Sequence, residues 1–179
     1  MTAPATRERI VSVRQGSFEI SADPQVRLMT ILGSCVAVCL YDETTRVGGM
    51  NHYLLPVGRG EGAASLRYGV HAMELLINGV LRSGARRSAL KDRIYGGASM
   101  SSGHAAIGPE NARWGREFLA REGFPIMAES LGGNSARRLV MTPTTGQVRH
   151  TIVPPVEMPK VQVPQPAPER PRRTGVTLF

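Results

Sequence analysis

The sequence predicts one α+β domain, a layered fold in which two helices pack on a mixed, mainly antiparallel β-sheet. Short β-branched runs recur over the first 153 residues, and turn residues separate them. Two other stretches repeat apolar residues at the three- and four-residue spacing of a helix. A chain of 179 residues is long enough for one core, and the low aromatic content of 5% predicts that this core is aliphatic.

Four strands are predicted in the first third of the chain, at residues 10–20, 26–31, 36–41 and 47–55. Gly33 and Ser34 lie between the second and third of these strands. The turn sequence DETT then joins the third and fourth runs into a hairpin. This pairing predicts that Cys35 and His52 come from neighbouring strands.

Two helices and four more strands are predicted in the rest of the domain. The first helix ends at Ser83 and Gly84, and Pro109 opens the second, which turns Trp114, Phe118 and Leu119 inward. Apolar residues mark the first helix at Leu66, Val70, Met73, Ile77, Val80 and Leu81. The strands are expected at residues 93–95, 126–129, 138–142 and 147–153.

Proline content separates a tail from the domain. Seven of the 13 prolines fall between Pro154 and Pro171, in a run without aliphatic periodicity. We therefore assign residues 1–153 to the folded domain, whose regular structure begins near residue 8, and residues 154–179 to an extended or disordered tail.

Charge and hydropathy narrow the class of protein. The net charge is +8, but the basic residues are scattered and not interleaved with aromatic residues, and the tail contributes only +2. Binding to nucleic acid is therefore the weaker interpretation, and an acidic protein surface suits the charge equally well. The sequence shows no membrane-spanning run and no secretory signal, so we expect no membrane insertion and a cytoplasmic location.

Cys35 is the candidate nucleophile. It follows Gly33 and Ser34 and precedes a β-branched run, where a thiol can be presented at the start of a strand. Backbone amides around Ser34 and Cys35 could then bind a developing oxyanion. The alternative is a buried structural thiol, which is the commoner role of a free cysteine.

His52 is the candidate base, because the hairpin brings it beside the cysteine strand and an imidazole can take the proton of a thiol. A core histidine remains the alternative. Thr30 is the hydroxyl candidate for orienting the imidazole, with Asp42 and Asn51 as further candidates.

A zinc site built on Cys35, Cys39 and His52 is disfavoured, because its fourth ligand would have to come from His71 or His104, in a helix and a loop. Cys39 shares a strand face with Cys35 and is expected to be a packed core thiol.

The segments LGSCVAVCLYD, GGMNHYLLP, GGASM, IGPEN and GGNSARR, in this order, resemble the CheD family of chemoreceptor glutamine deamidases over residues 10–150. The resemblance implies a fold similar to the deamidase domain of the cytotoxic necrotizing factor toxins. It also implies hydrolysis of receptor glutamines to glutamates, with Cys35 as nucleophile and His52 as base. The family's catalytic threonine is assigned to Thr30, although an ungapped alignment places it at Met29, on the opposite face of a regular strand.

The resemblance further implies that the protein needs no metal or organic cofactor and acts as a monomer on methyl-accepting chemotaxis receptors. A CheC-type phosphatase is an expected partner. The second hypothesis is a mainly non-catalytic binding module that regulates receptors and such a phosphatase.

Overall fold

The computed structural model describes residues 7–55, 62–100 and 107–154, with the backbone alone for residues 62–66. The strands of these residues are β1 (Arg9–Ser12), β2 (Phe18–Ser21), β3 (Val26–Leu32), β4 (Val36–Asp42), β5 (Val47–Asn51), β6 (Lys91–Gly96), β7 (Ile126–Leu131), β8 (Ala136–Thr142) and β9 (Gln147–Val153). The helices are α1 (Gly62–Arg82) and α2 (Ile107–Glu122), and a short 3-10 turn spans Arg87–Ala89. None of the described helices is long and apolar enough to cross a membrane.

The strands form two sheets. The outer sheet has the order β1-β3-β8-β9, and the inner sheet has the order β2-β5-β4-β6-β7. The β1–β3 and β6–β7 pairs are parallel, and the other pairs are antiparallel. The α+β class, the two helices and the mainly antiparallel pairing are confirmed. The expectation of one sheet is wrong, because the alternation of residues along a strand does not specify which sheet the strand joins.

The inner sheet lies between two apolar layers. One of its faces packs against the helices, where Val38 and Ile94 meet Leu76 and Leu119. The other face packs against the outer sheet, where Ala37, Cys39 and Met50 meet Leu28 and Leu139. Every residue of β4 is buried, since both of its faces are covered. This explains why the β4 segment is an almost continuous apolar run.

The chain crosses between the sheets four times, at the β1–β2, β2–β3, β3–β4 and β7–β8 connections. The predicted strand at residues 10–20 bends at Gln15 and Gly16, where Gly16 has a φ of 81°, so β1 joins the outer sheet and β2 the inner sheet. The β3–β4 crossing is the segment 33–35. The predicted hairpin of β4 and β5 is confirmed, with Cys39 opposite Met50 and Asp42 opposite Val47. The predicted tail lies outside the described residues, apart from Pro154.

Candidate active site

Cys35 lies at the β3–β4 crossing, directly before β4, and it is largely buried, with 9% of the residue exposed. Three hydrogen bonds fix the carbonyls of this crossing. The Ala98 N–H donates to Gly33 O at 2.9 Å, and the Gly97 N–H donates to Cys35 O at 2.8 Å. The Asn111 side-chain amide donates to Ser34 O at 3.1 Å. Because these peptides are trans, the N–H groups of Ser34 and Cys35 point away from the anchored carbonyls.

The support for this crossing comes from the GGASM and GGNSARR segments. Gly96 has a φ of 115°, and a Cβ at this residue would lie 2.2 Å from Cys35 O, so only glycine fits there. Arg137 is 95% buried. Its guanidinium donates to Ser130 Oγ at 3.1 Å and also bonds Gly132 O at 2.5 Å. The two glycine clusters therefore support the backbone of the segment that carries Cys35.

His52 follows β5 on the strand that neighbours Cys35. Val36 and Tyr53 exchange both backbone hydrogen bonds, at 2.9 and 2.8 Å, which continues the register of β4 and β5. In this register His52 stands opposite Ala37, on the same face as Cys35 and diagonal to it. Diagonal neighbours are about 7–8 Å apart, within reach of a long or aromatic side chain. The register therefore places Cys35 and His52 on neighbouring strands of one sheet face, while Cys35 Sγ makes its hydrogen bond to Gln15 and not to His52.

Thr30 contacts the imidazole between the two sheets. Its Oγ1 lies 2.8 Å from His52 Nδ1 and donates to Val13 O at 2.8 Å. Because the one hydroxyl proton is used on Val13, Oγ1 accepts from His52, so Nδ1 carries the ring proton. The Val13 carbonyl, 3.4 Å from Nδ1, can only accept and favours the same tautomer. The other ring nitrogen, Nε2, is buried and has no hydrogen-bond partner among the described residues.

The electrostatics favour a neutral pair at rest. Burial lowers the pKa of His52 from its ordinary value of 6.5, and the hydrogen bond to Val13 opposes this shift. Burial also raises the pKa of the Cys35 thiol above 9.0, while the N–H of Cys35 itself lowers it by less. At neutral pH the imidazole is therefore an unprotonated base and the thiol keeps its proton. The proton would move during attack and not before it.

This neutral pair predicts the pH dependence of kcat/KM. A buried histidine whose pKa is lowered takes up its proton only below about pH 6.5, so the rate should fall about tenfold per pH unit on that side. Between about pH 7 and 9 the rate should stay level, because the thiol pKa lies above this range. The profile is measured as initial rates of ammonia release. A preformed thiolate and imidazolium pair would instead lose activity above about pH 8.

Asn111 links the segment that carries Cys35 to the segment that follows His52. The sequence alone did not predict this role. Asn111 is 1% exposed. Its Nδ2 bonds the Ser34 carbonyl beside Cys35, and its Oδ1 accepts from the Leu55 N–H at 2.8 Å. The Tyr53 hydroxyl donates to its backbone carbonyl at 3.0 Å. One feature of the sequence could have indicated this role: Asn111 is a polar residue on the inward face of α2, at helical spacing from Trp114 and Phe118.

We expect Asn111→Asp to lower kcat about 100-fold with little change in KM, because a small displacement of a reacting group has an effect of this size. The carboxylate keeps an acceptor for Leu55 but has no donor for Ser34. The measurement is steady-state kinetics beside circular dichroism. Asp42→Asn is the matched control, since Asp42 is buried at the opposite end of β4 and accepts from the Thr44 and Arg86 N–H groups. Equal losses in the two variants would indicate general destabilisation.

The other residues considered as orienting groups lie elsewhere. The Asp42 carboxylate binds the β4–β5 turn, and the Asn51 side chain binds the Val38 N–H and the Ala72 carbonyl. Met29 is half-buried on the face of β3 opposite to Thr30. Gly33 does not adopt a positive φ, and a Cβ there would approach Met100 Cγ at 3.1 Å.

Cys39 lies fully buried between the sheets, and burial raises its pKa. Both cysteines are free thiols. Among the residues that the structure describes, no three His, Cys, Asp or Glu side chains are grouped closely enough to hold a metal ion. His104, which was considered as a fourth zinc ligand, lies outside the described residues.

A cleft opens beside the imidazole, next to the end of β1 and to β3, and Cys35 is not among the residues that line it. Its walls are Ser12, Val13, Arg14, Gln15, Met29, Thr30, Ile31 and His52. A thiol and an imidazole on one face of a sheet, with a hydroxyl that orients the imidazole, form the arrangement used by cysteine-dependent hydrolases.

Comparison with known proteins shows that the chain belongs to the CheD family. The family model described as CheD chemotactic sensory transduction matches residues 54–151. A probable chemoreceptor glutamine deamidase CheD 1 of Ruegeria sp. (strain TM1040) is 50% identical over 80% of this chain and 76% of its own length. The corresponding protein of Caulobacter sp. (strain K31) is 49% identical, with 88% and 85% covered.

The solved structures that match are more distant. A Neisseria meningitidis protein of the family DUF152 superposes with a TM-score of 0.43 at 11% identity, covering 72% of this chain and 64% of the other. The Bacillus licheniformis protein YfiH gives a TM-score of 0.40 at 17% identity, with 71% and 61% covered.

Proposed function

We propose that this protein is a protein-glutamine deamidase that converts glutamine side chains of chemotaxis receptors to glutamates. Family membership supports the reaction and the substrate, because the related proteins are named as probable chemoreceptor glutamine deamidases. The observation that supports the site most strongly is the contact of Thr30 with His52 Nδ1, which leaves the buried Nε2 as an unpartnered base.

The proposed reaction begins with attack by Cys35 Sγ on the carboxamide carbon of a receptor glutamine. His52 Nε2 takes the thiol proton as the S–C bond forms and the carbonyl oxygen becomes an oxyanion. The N–H groups of Ser34 and Cys35, which point away from their anchored carbonyls, are the proposed backbone donors to that oxyanion, and Gly33 precedes them in the same segment.

The tetrahedral intermediate then collapses with breakage of the C–N bond. The imidazolium returns its proton to the departing nitrogen, which leaves as ammonia, and a thioester joins Cys35 to the receptor. Water that has lost a proton to the same Nε2 hydrolyses the thioester, which yields glutamate and the free thiol. Throughout the cycle Thr30 keeps the imidazole in one tautomer, so it acts as a positioning residue.

The experiment that tests this function is incubation of the protein with the cytoplasmic fragment of a chemotaxis receptor, followed by peptide mass mapping. We expect a subset of glutamines to become glutamates, with release of one ammonia for each conversion. Tight receptor binding without any conversion would favour the alternative of a non-catalytic binding module.

Other expectations from the sequence and the family resemblance remain predictions. They are a fold like the deamidase domain of the cytotoxic necrotizing factor toxins, a cytoplasmic location, a monomeric state and binding to a CheC-type phosphatase. Sedimentation of the protein alone and with such a phosphatase would test the last two.

A further inference from the structure

Gln15 occupies the tip of the turn between β1 and β2, beside the candidate nucleophile. The Ser17 N–H donates to Arg14 O at 3.0 Å and closes this turn. The turn is also attached to the base, because the Gly16 N–H donates to His52 O at 2.7 Å and the His52 N–H donates to Ser17 O at 3.0 Å. The backbone of Gln15 is therefore held in a fixed position relative to His52.

The side chain of Gln15 contacts the sulfur itself. Cys35 Sγ donates to Gln15 Oε1 at 3.4 Å, although Gln15 is an exposed residue and Cys35 is buried. When Sγ attacks a carboxamide carbon, the oxygen on that carbon lies only two bonds from the sulfur. A group that touches Sγ at rest is thus close to the place where the oxyanion develops.

The carboxamide of glutamine suits both stages of the reaction, because it carries an acceptor oxygen and an amide with two donor hydrogens. Towards the neutral thiol it accepts through Oε1. Towards a developing negative charge it can donate through Nε2, after rotation about its terminal bond and without movement of the rest of the side chain.

We propose that Gln15 is a further catalytic residue, whose side-chain amide donates to the oxyanion formed when Cys35 attacks the substrate glutamine. This inference rests on the proposed function. The N–H groups of Ser34 and Cys35 remain the backbone donors, since the carbonyls of the same two peptides are anchored on the opposite side by Ala98 and Asn111. In this step the S–C bond forms, the thiol proton passes to His52 Nε2, and the carbonyl electron pair moves onto the oxygen that Gln15 and these backbone groups bind.

The test compares two reactions of the same thiol in Gln15→Ala. Receptor deamidation passes through an oxyanion, whereas alkylation of Cys35 by iodoacetamide does not. We expect kcat for deamidation to fall about 100- to 1000-fold, as when one oxyanion donor is removed, with KM nearly unchanged. The rate of Cys35 alkylation should stay the same or rise. Gln147→Ala is the matched control, since Gln147 is an exposed glutamine on β9 that does not line the cleft.

Gln15→Glu provides a second variant of nearly the same shape. Its carboxylate has no donor at neutral pH and repels the oxyanion, so deamidation should fall at least as far as in Gln15→Ala. Alkylation should slow at neutral pH, because a negative charge beside the thiol disfavours the thiolate.

Three results would overturn the proposal. Equal losses of deamidation and alkylation in Gln15→Ala would mean that the residue only supports the fold. A gain in both would mean that it merely covers the thiol, and unchanged deamidation would mean that it has no role in the reaction. If the wild-type protein fails to deamidate the receptor, the proposed function fails as well, whereas an active wild type with an equally active Gln15→Ala refutes only this inference.

Discussion

Cys35→Ala is expected to abolish receptor deamidation, with a loss of at least about 10⁴-fold in kcat, because no other described side chain is placed to form the thioester. The protein should still fold, since the substitution removes one sulfur atom at the margin of the core between the sheets. The measurement is the conversion of glutamine to glutamate by peptide mass mapping, beside circular dichroism of the variant.

Cys39→Ala is the matched control for this change. Cys39 lies two positions beyond Ala37 on the same face of β4, is fully buried and is also a free thiol. It should be the more destabilised of the two variants, because removing its sulfur leaves a cavity in the core. Below its unfolding temperature it should keep its activity. Loss of activity in Cys39→Ala with retention in Cys35→Ala would reverse the assignment of the nucleophile.

His52→Ala is the second change with a large expected effect, a fall in kcat of about 10⁴-fold at pH 7. Without the base, attack depends on the small thiolate fraction of a thiol whose pKa burial has raised above 9.0. The residual rate should therefore climb about tenfold per pH unit from pH 6 to 9, where the wild-type rate is level. Rates measured across this range for both proteins provide the comparison.

His71→Ala serves as the control for His52→Ala, because His71 is exposed on α1. It should match the wild type at every pH. If His52→Ala instead shows a level profile with more than a tenth of the wild-type rate, another group is the base.

The sequence predicts the local elements of this fold better than their assembly. The β4–β5 hairpin is recognisable because a turn sequence lies between two β-branched runs, and the strand at residues 147–153 has the predicted bounds. The bend at Gln15 and Gly16 was missed, because one glycine in a β-rich stretch is also compatible with a continuous strand. The division into two sheets depends on that bend.

The candidate site, like the fold, can be predicted only where it depends on residues close together in the sequence. The register of one hairpin is enough to associate Cys35 with His52. The contact between Thr30 and His52 depends on packing between two sheets, and local spacing does not determine it. Asn111 and Gln15 lie far from Cys35 along the chain, and their proximity to it arises only from the tertiary fold.

The most direct measurement of the central claim is rapid acid quenching of the protein with the receptor fragment, followed by mass mapping of any covalent conjugate. We expect a receptor thioester on the peptide that contains Cys35, which hydroxylamine cleaves and which the Cys35→Ala variant does not form. A conjugate at another residue, or undiminished deamidation by Cys35→Ala, would contradict the account.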